Sequence, residues 1–195
     1  MNFLAHVYLS GENDHIKIGN FMADGIHGKN FDEFPIDVQK GIRLHREIDS
    51  YTDFHPIFRQ SKHRLHERYG HYSGVIMDIF YDHFLAKNFS KYSNIPLKKF
   101  SEDFYQVLEE NFEILTPKFQ KILPVLKQEN WMLLYSTIEG LKHILYMMDR
   151  RTKLRSKMQF SVEELQLFYN EFENEFKLFF AEMEVFVAKK MAFGT

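Results

Sequence analysis

Apolar residues recur every three or four positions along nearly the whole chain, the spacing that lays one side of an α-helix against a core. Ile16, Ala23 and Ile26 share one side of a segment that Asn13 or Asp14 can cap, with Gly28 near its end. Pro35 suits a first helical turn, and Ile42 and Ile48 carry the buried side on to about Tyr51. Pro56 opens a third helix, with Ile57, Phe58, Ser61 and Leu65 inward and Gly70 as its stop. Ser73 is the expected cap of a fourth, which holds Asp78 and Asp82.

The second half continues the pattern. Ser101 precedes a helix carrying Phe104, Val107 and Leu108. Thr116-Pro117 starts another, which Pro124 limits or kinks. Asn130 precedes a long apolar helix through Trp131, Leu134, Ile138, Leu141 and Leu145. Ser161-Val162-Glu163-Glu164 has the form of a capping box. Beyond it Phe168, Phe172, Phe176 and Phe180 recur every four residues, a stripe suited to a core or an interface. Alternating strand patterns and Asn-Gly hairpin signals are absent. The expected fold is all-α, with residues 1–195 forming a single compact multi-helix domain.

The fourth segment breaks the usual rule for charge. From Gly74 to Leu85 it reads GVIMDIFYDHFL, where Asp78, Asp82 and His83 are the only ionisable groups apart from Tyr81. Ionised carboxylates are rarely buried alone, so something must compensate them, and a bound metal is the economical candidate. Two further groups have helical spacing: Asn20 with Asp24, and His45 with Asp49. His45 and Asp49 fall on the side of Gly41, Ile42 and Ile48, which makes them either a core histidine satisfied by its aspartate or part of a site. Asp78 and Asp82 share one face, read as a solvated strip or as ligands. His83 lies near the middle of the most apolar face, and His6 lies inside the apolar NFLAHVYL.

Together Asp24, His45, Asp49, Asp78 and Asp82 offer one imidazole and four carboxylates. Such an oxygen-rich set favours magnesium, manganese or iron over a closed structural zinc site. A divalent ion of this kind polarises a phosphoryl oxygen and lowers the pKa of a bound water, with a carboxylate or histidine nearby to move protons. Arg46, at the edge of the His45/Asp49 face, can fork onto phosphate oxygens or pair with a neighbouring acid. No GxSxG elbow, Walker-type phosphate loop or dinucleotide fingerprint is present.

Composition narrows the classes further. The absence of cysteine excludes disulfides, thiolate catalysis and Cys-ligated zinc, and fits a reducing compartment. A net charge of −2 predicts no global attraction to nucleic acid or membrane, so an acidic partner must be met by a local patch. The N-terminus lacks the basic start and long apolar run of a signal peptide, and a cytoplasmic protein is the expectation.

At these residues the chain resembles the acyl carrier protein phosphodiesterase family. The resemblance rests on MNFLAH (1–6), GNFMAD (19–24), GIRLHREIDSYTDFHP (41–56) and DIFYDHFL (78–85), in that order and spacing, with NWMLLYSTIEGLKHILYMMDRR (130–151) also similar. It implies an HD-like helical core and kinship with HD-type metal phosphohydrolases. It also implies hydrolysis of the phosphodiester that joins 4′-phosphopantetheine to a serine of holo-acyl carrier protein, a step in fatty acid and lipid metabolism, with manganese as the ion. A related phosphohydrolase acting on a nucleotide or other small phosphoester is the alternative. The family's motif groups map onto His6, Asp24, His45, Asp49, Asp78, Asp82 and His83. Of these we expect Asp24, His45, Asp49, Asp78 and Asp82 to hold metal, and His6 and His83, with Arg46, to act on the substrate. The chain departs from the wider HD pattern at Asp82-His83, which is not His-Asp, and at His45, which Arg46 follows.

Acyl carrier proteins are acidic, and two basic stretches can meet one: Arg59, Lys62, Arg64 and Arg68, or Arg150, Arg151, Lys153, Arg155 and Lys157. The acidic C-terminal helix is an unlikely docking face. The expected assembly is a monomer or a homodimer.

Overall fold

The computed structural model describes residues 1–28 and 31–193; residues 29, 30, 194 and 195 of the expected domain lie outside them. Among the described residues the regular structure is entirely helical. The first half runs α1 (Phe3–Leu9), α2 (Asp14–Met22), α3 (Ile36–Phe54), α4 (Pro56–Tyr69) and α5 (Ser73–Lys87). The second runs α6 (Leu97–Glu110), α7 (Pro117–Glu129), α8 (Trp131–Leu134), α9 (Ile138–Arg151), α10 (Val162–Leu167) and α11 (Tyr169–Phe193). Among the described residues no helix is long and apolar enough to cross a membrane.

α5 is the axis of the core. Ile76, Met77, Ile79, Phe80, Tyr81, Asp82, His83, Phe84 and Leu85 are all buried, which is why its sequence shows no charged face. α11 lies against α3, α4 and α5. Its Phe172, Phe176, Phe179 and Phe180 are fully buried, and rings of Phe58, Tyr81 and Phe84 pack against them. The Phe stripe therefore belongs to the core, although Phe168 is only partly covered.

α2 and α3 cross at a distance only glycine allows. A Cβ on Gly19 would run into the backbone of Val38, and one on Gly41 into the carbonyl oxygen of Ile16. The crossing sets Asn20 of α2 directly beside His45 of α3.

Several boundaries differ from the sequence expectation, each for a local reason. α2 ends at Met22 and passes into a single tight turn, Ala23–Gly25, so Asp24 stands beyond the α-helix and Gly28 further still. α3 continues to Phe54, until His55, which precedes Pro56 and is extended. Ser73 is the first residue of α5 rather than its cap, and its hydroxyl donates to the Gly70 carbonyl. α6 begins at Leu97, after Pro96, and Ser101 lies buried inside it. Pro124 stays within α7. Ser161 does not form a capping box: its backbone is helical and its hydroxyl donates back to Met158. The long apolar helix expected after Asn130 is broken at 135–137. There Thr137 caps α9 by accepting from the Gly140 amide at 3.0 Å, and Gly140 packs against the Leu134 carbonyl.

Gly41→Ala should force α2 and α3 apart and cost about 1–3 kcal/mol, the range for overpacking a close contact. Urea unfolding measures it, and a variant as stable as wild type would contradict the close crossing.

Candidate active site

Asn20 organises the centre of the site. Its side-chain amide donates to the His6 carbonyl at 3.0 Å and to Ser10 Oγ at 2.9 Å, which leaves its Oδ1 as an acceptor. His6 Nδ1 lies 2.7 Å from that oxygen, so this nitrogen carries the hydrogen. His45 Nδ1 lies 2.8 Å from the backbone oxygen of Asn20, which can only accept. Both rings thus have Nδ1–H fixed from behind, and both present Nε2 forward. The rings stack with centroids 4.0 Å apart and planes 20° from parallel.

In front of them lies Asp49. Its Oδ2 is 3.0 Å from His45 Nε2 and its Oδ1 is 3.2 Å from His6 Nε2. The second approach lacks hydrogen-bond geometry, and His6 Nε2, buried, has no hydrogen-bond partner. A nitrogen lone pair there faces a carboxylate oxygen, an arrangement that a shared cation relieves. His6, His45 and Asp49 each offer a ligand atom, all within 4.8 Å of one another. Asp24, at the exposed edge, reaches His45 Nε2 with Oδ1 at 3.3 Å.

The electrostatics divide the two rings. Burial and the neighbouring His45 push His6 down to about 4, so it stays neutral. Burial alone would also lower His45, but its hydrogen bonds and charge contacts with Asp24 and Asp49 prevail and raise it to about 9. Burial would raise Asp49, yet the two histidines and the terminal amine hold it far below the usual carboxylate range. Asp24 is lowered by its hydrogen bond to His45.

The acids of α5 have other partners. Asp82 accepts from the amides of Leu4 at 2.8 Å and Asn2 at 3.2 Å, so it caps α1 and faces the positive end of its peptide dipoles. It is fully buried, and burial lifts its carboxyl to about 7. Asp78 accepts from the Met1 α-amino group at 2.9 Å, and that amine also lies 3.7 Å from Asp49. Burial raises the Asp78 carboxyl despite the amine.

Two expected substrate-facing groups lie apart from this cluster. His83 bonds the Tyr135 carbonyl through Nδ1 at 2.7 Å and the Tyr169 hydroxyl through Nε2 at 2.9 Å, so both its nitrogens are satisfied within the core. Arg46 donates to the carbonyls of Gly28 at 2.7 Å and Ile26 at 3.4 Å, with its guanidinium over the Phe31 ring. It fastens the segment that follows Asp24. His6, expected to act on substrate, stands behind Asp49, with its Nε2 3.2 Å from Oδ1.

A cavity of about 390 Å³ opens onto the cluster. Asp24, Asp49, Asp53 and Asp78 line it together with an apolar group, Phe3, Phe119, Ile122, Trp131 and Met148, and Lys118 and Arg151 lie over the Phe119 and Trp131 rings. Neither Lys118 nor the apolar wall carries a sequence signal, because α7, α8 and α9 reach the site only through tertiary packing. The part played by Asn20 also escapes the sequence, since it depends on which groups face its two oxygens.

The model of the family described as acyl carrier protein phosphodiesterase matches residues 1–183. The chain belongs to this family. Curated relatives named acyl carrier protein phosphodiesterase include one from Photorhabdus laumondii, 32% identical over 94% of this chain and 93% of the relative. One from Pectobacterium atrosepticum is 29% identical over 94% and 95%, and one from Escherichia coli is 28% identical over 97% and 99%. No solved structure matches. The family match spans every residue of the cluster and the cavity wall, and it ends within α11.

In this family member, His45 binds its proton more tightly folded than unfolded, where an imidazole titrates near about 6.5. The stabilisation is complete below that value and is lost as pH rises through about 9. Chelator-treated protein should therefore lose thermal stability between those limits. His45→Gln should flatten the decline, and an equally steep decline in the variant would show that another group causes it.

Proposed function

We propose that this protein is a metal-dependent phosphodiesterase that releases 4′-phosphopantetheine from the serine of holo-acyl carrier protein and leaves the apo-carrier. Family membership and the printed names of the relatives support the substrate. The observation that carries the metal dependence is the pair of Nε2 atoms held toward Asp49, one of them buried and without a hydrogen-bond partner. Two imidazoles with carboxylates suit manganese or iron better than magnesium, and manganese is the ion we propose.

His6, His45 and Asp49 would hold the ion, with Asp24 as the carboxylate at its open edge. When bound, it would polarise the phosphoryl oxygen and acidify a water. Asp24 lines the cavity with Oδ2 free of His45, so this oxygen is positioned to take a proton from the attacking water. Phe3, Phe119, Ile122, Trp131 and Met148 give the uncharged pantetheine arm an apolar surface to lie on. Asp82 supports the site from beneath by seating α1, and hence His6, against α5.

Incubation of the pure protein with holo-carrier and manganese, followed by mass spectrometry of the carrier, should show loss of the phosphopantetheine mass. Retention of that mass, or preference for a nucleotide in a substrate panel, would reject the assignment. His6→Ala and Asp49→Asn should lower kcat/KM by a factor of about 100 or more while circular dichroism stays helical.

Asn20→Ala frees the His6 ring to take the other tautomer, while the backbone oxygen that holds His45 remains. Manganese affinity should fall about 10–100-fold, the usual loss when a group that orients a ligand is removed. Isothermal titration of the folded variant reads this directly, and an unchanged affinity would remove Asn20 from the ligand scaffold.

A further inference from the structure

The cations of this chain fall into two sets with different fates. On α4, Arg64 pairs with Glu175 of α11 at 2.7 Å, and Arg68 bonds Glu163 and Glu164 of α10 at 2.8 and 2.6 Å. Those two charges are spent inside the fold; Arg59 and Lys62 of the same stretch make no ion pair among the described residues, but none of the four lines the cavity. The second set includes residues of the cavity lining. Lys118, Arg151, Lys153, Arg155 and Lys157 are exposed and make no ion pair among the described residues.

Two of these cations border the cavity directly. Lys118 lies over the Phe119 ring at 5.4 Å, and Arg151 lies over Trp131 at 5.8 Å. Both rings form part of the apolar wall. The turn that follows is built to hold its shape. Buried Asp149 accepts from Ser156 Oγ at 2.6 Å and from the Lys157 amide at 3.1 Å. Lys153, Leu154 and Lys157 adopt positive φ angles of 57°, 61° and 56°. Side chains other than glycine resist this region at a cost of about 1 kcal/mol or more each. A strained turn fixed by a buried acid thus presents unpaired cations directly after Arg151, which lines the cavity.

We infer that this rim, Lys118 with Arg151 and the turn through Lys157, is the surface on which an acidic face of the carrier protein docks. The inference rests on the holo-carrier reading above. A phosphodiester attached to a protein serine can enter the cavity only if its protein body comes to rest at the mouth. Like charges gathered there repel one another until an acidic surface covers them, and such a surface is steered in at long range. The carboxylates inside the cavity act oppositely, so the rim has to supply the attraction for an anionic partner.

Charge reversal separates docking from chemistry. Lys118→Glu/Arg151→Glu and Arg155→Glu/Lys157→Glu replace exposed side chains, and melting temperature checks each fold. With holo-carrier, each double variant should raise KM at least 10-fold and leave kcat within about threefold, and the decline of kcat/KM with added salt should become shallower. Apo-carrier, the product, should inhibit these variants at least 10-fold more weakly than wild type, whereas Lys118→Arg/Arg151→Lys should behave as wild type. Unchanged KM and salt dependence in both charge-reversed variants, with active wild type, would overturn the docking surface alone. Absence of holo-carrier turnover by wild type would overturn the functional reading, and this inference with it.

Discussion

The carboxamide of Asn20 is the constraint on which the site depends. Its amide nitrogen is committed to a carbonyl and a hydroxyl, its side-chain oxygen to His6, and its backbone oxygen to His45. No alternative pairing satisfies these groups, because a carbonyl cannot donate. Two rings from different helices therefore share one tautomer and one direction. The arrangement needs α2 and α3 nearly in backbone contact, which is why glycine stands at both positions of the crossing.

The charge pattern follows from that geometry. Two stacked imidazoles 4.0 Å apart do not both carry a second proton and its positive charge, and their surroundings decide which one does. His45 meets two carboxylates and keeps a proton on both nitrogens; His6, deeper and beside it, keeps only the one on Nδ1. Asp49 then has one cationic and one neutral neighbour, with the unpaired Nε2 of His6 aimed at its oxygen. On the proposed reading, a bound cation would take the place of the His45 proton between the two rings and Asp49.

The all-α fold was legible because the apolar period of nearly every segment is helical, and the caps at Asn13, Pro56 and Gly70 mark real ends. The site was legible in part. Acids in apolar runs signal that compensation exists, but they do not say what supplies it. For Asp49 it includes one imidazole from its own helix and one from α1, whereas for Asp82 it is the first turn of α1, which no spacing along the chain announces. His83 gave the same signal as His6. The difference lies only in what faces the second nitrogen: the Tyr169 hydroxyl for His83, a carboxylate for His6. Arg46 looked like a phosphate fork because it neighbours His45, yet the carbonyls of the segment after Asp24 reach it first.

The break after α8 shows how one short irregularity can create the second half of a site. A continuous helix from Trp131 to Arg151 would separate their Cα atoms by about 30 Å, at 1.5 Å per residue. Instead the chain turns at 135–137, and the Arg151 guanidinium comes to lie over the Trp131 ring. An apolar wall and a cation thereby meet at the same cavity as the carboxylates that α3 and α5 bring to it. Apolar periodicity runs unbroken through the junction, since both helices must bury a face. The information that divides them is held by Thr137 and Gly140, one a cap and the other a place where backbone meets backbone. A substrate that is anionic at its reacting group and apolar along its arm matches a cavity lined in this way, and the lining can be assembled only because the helix ends where it does.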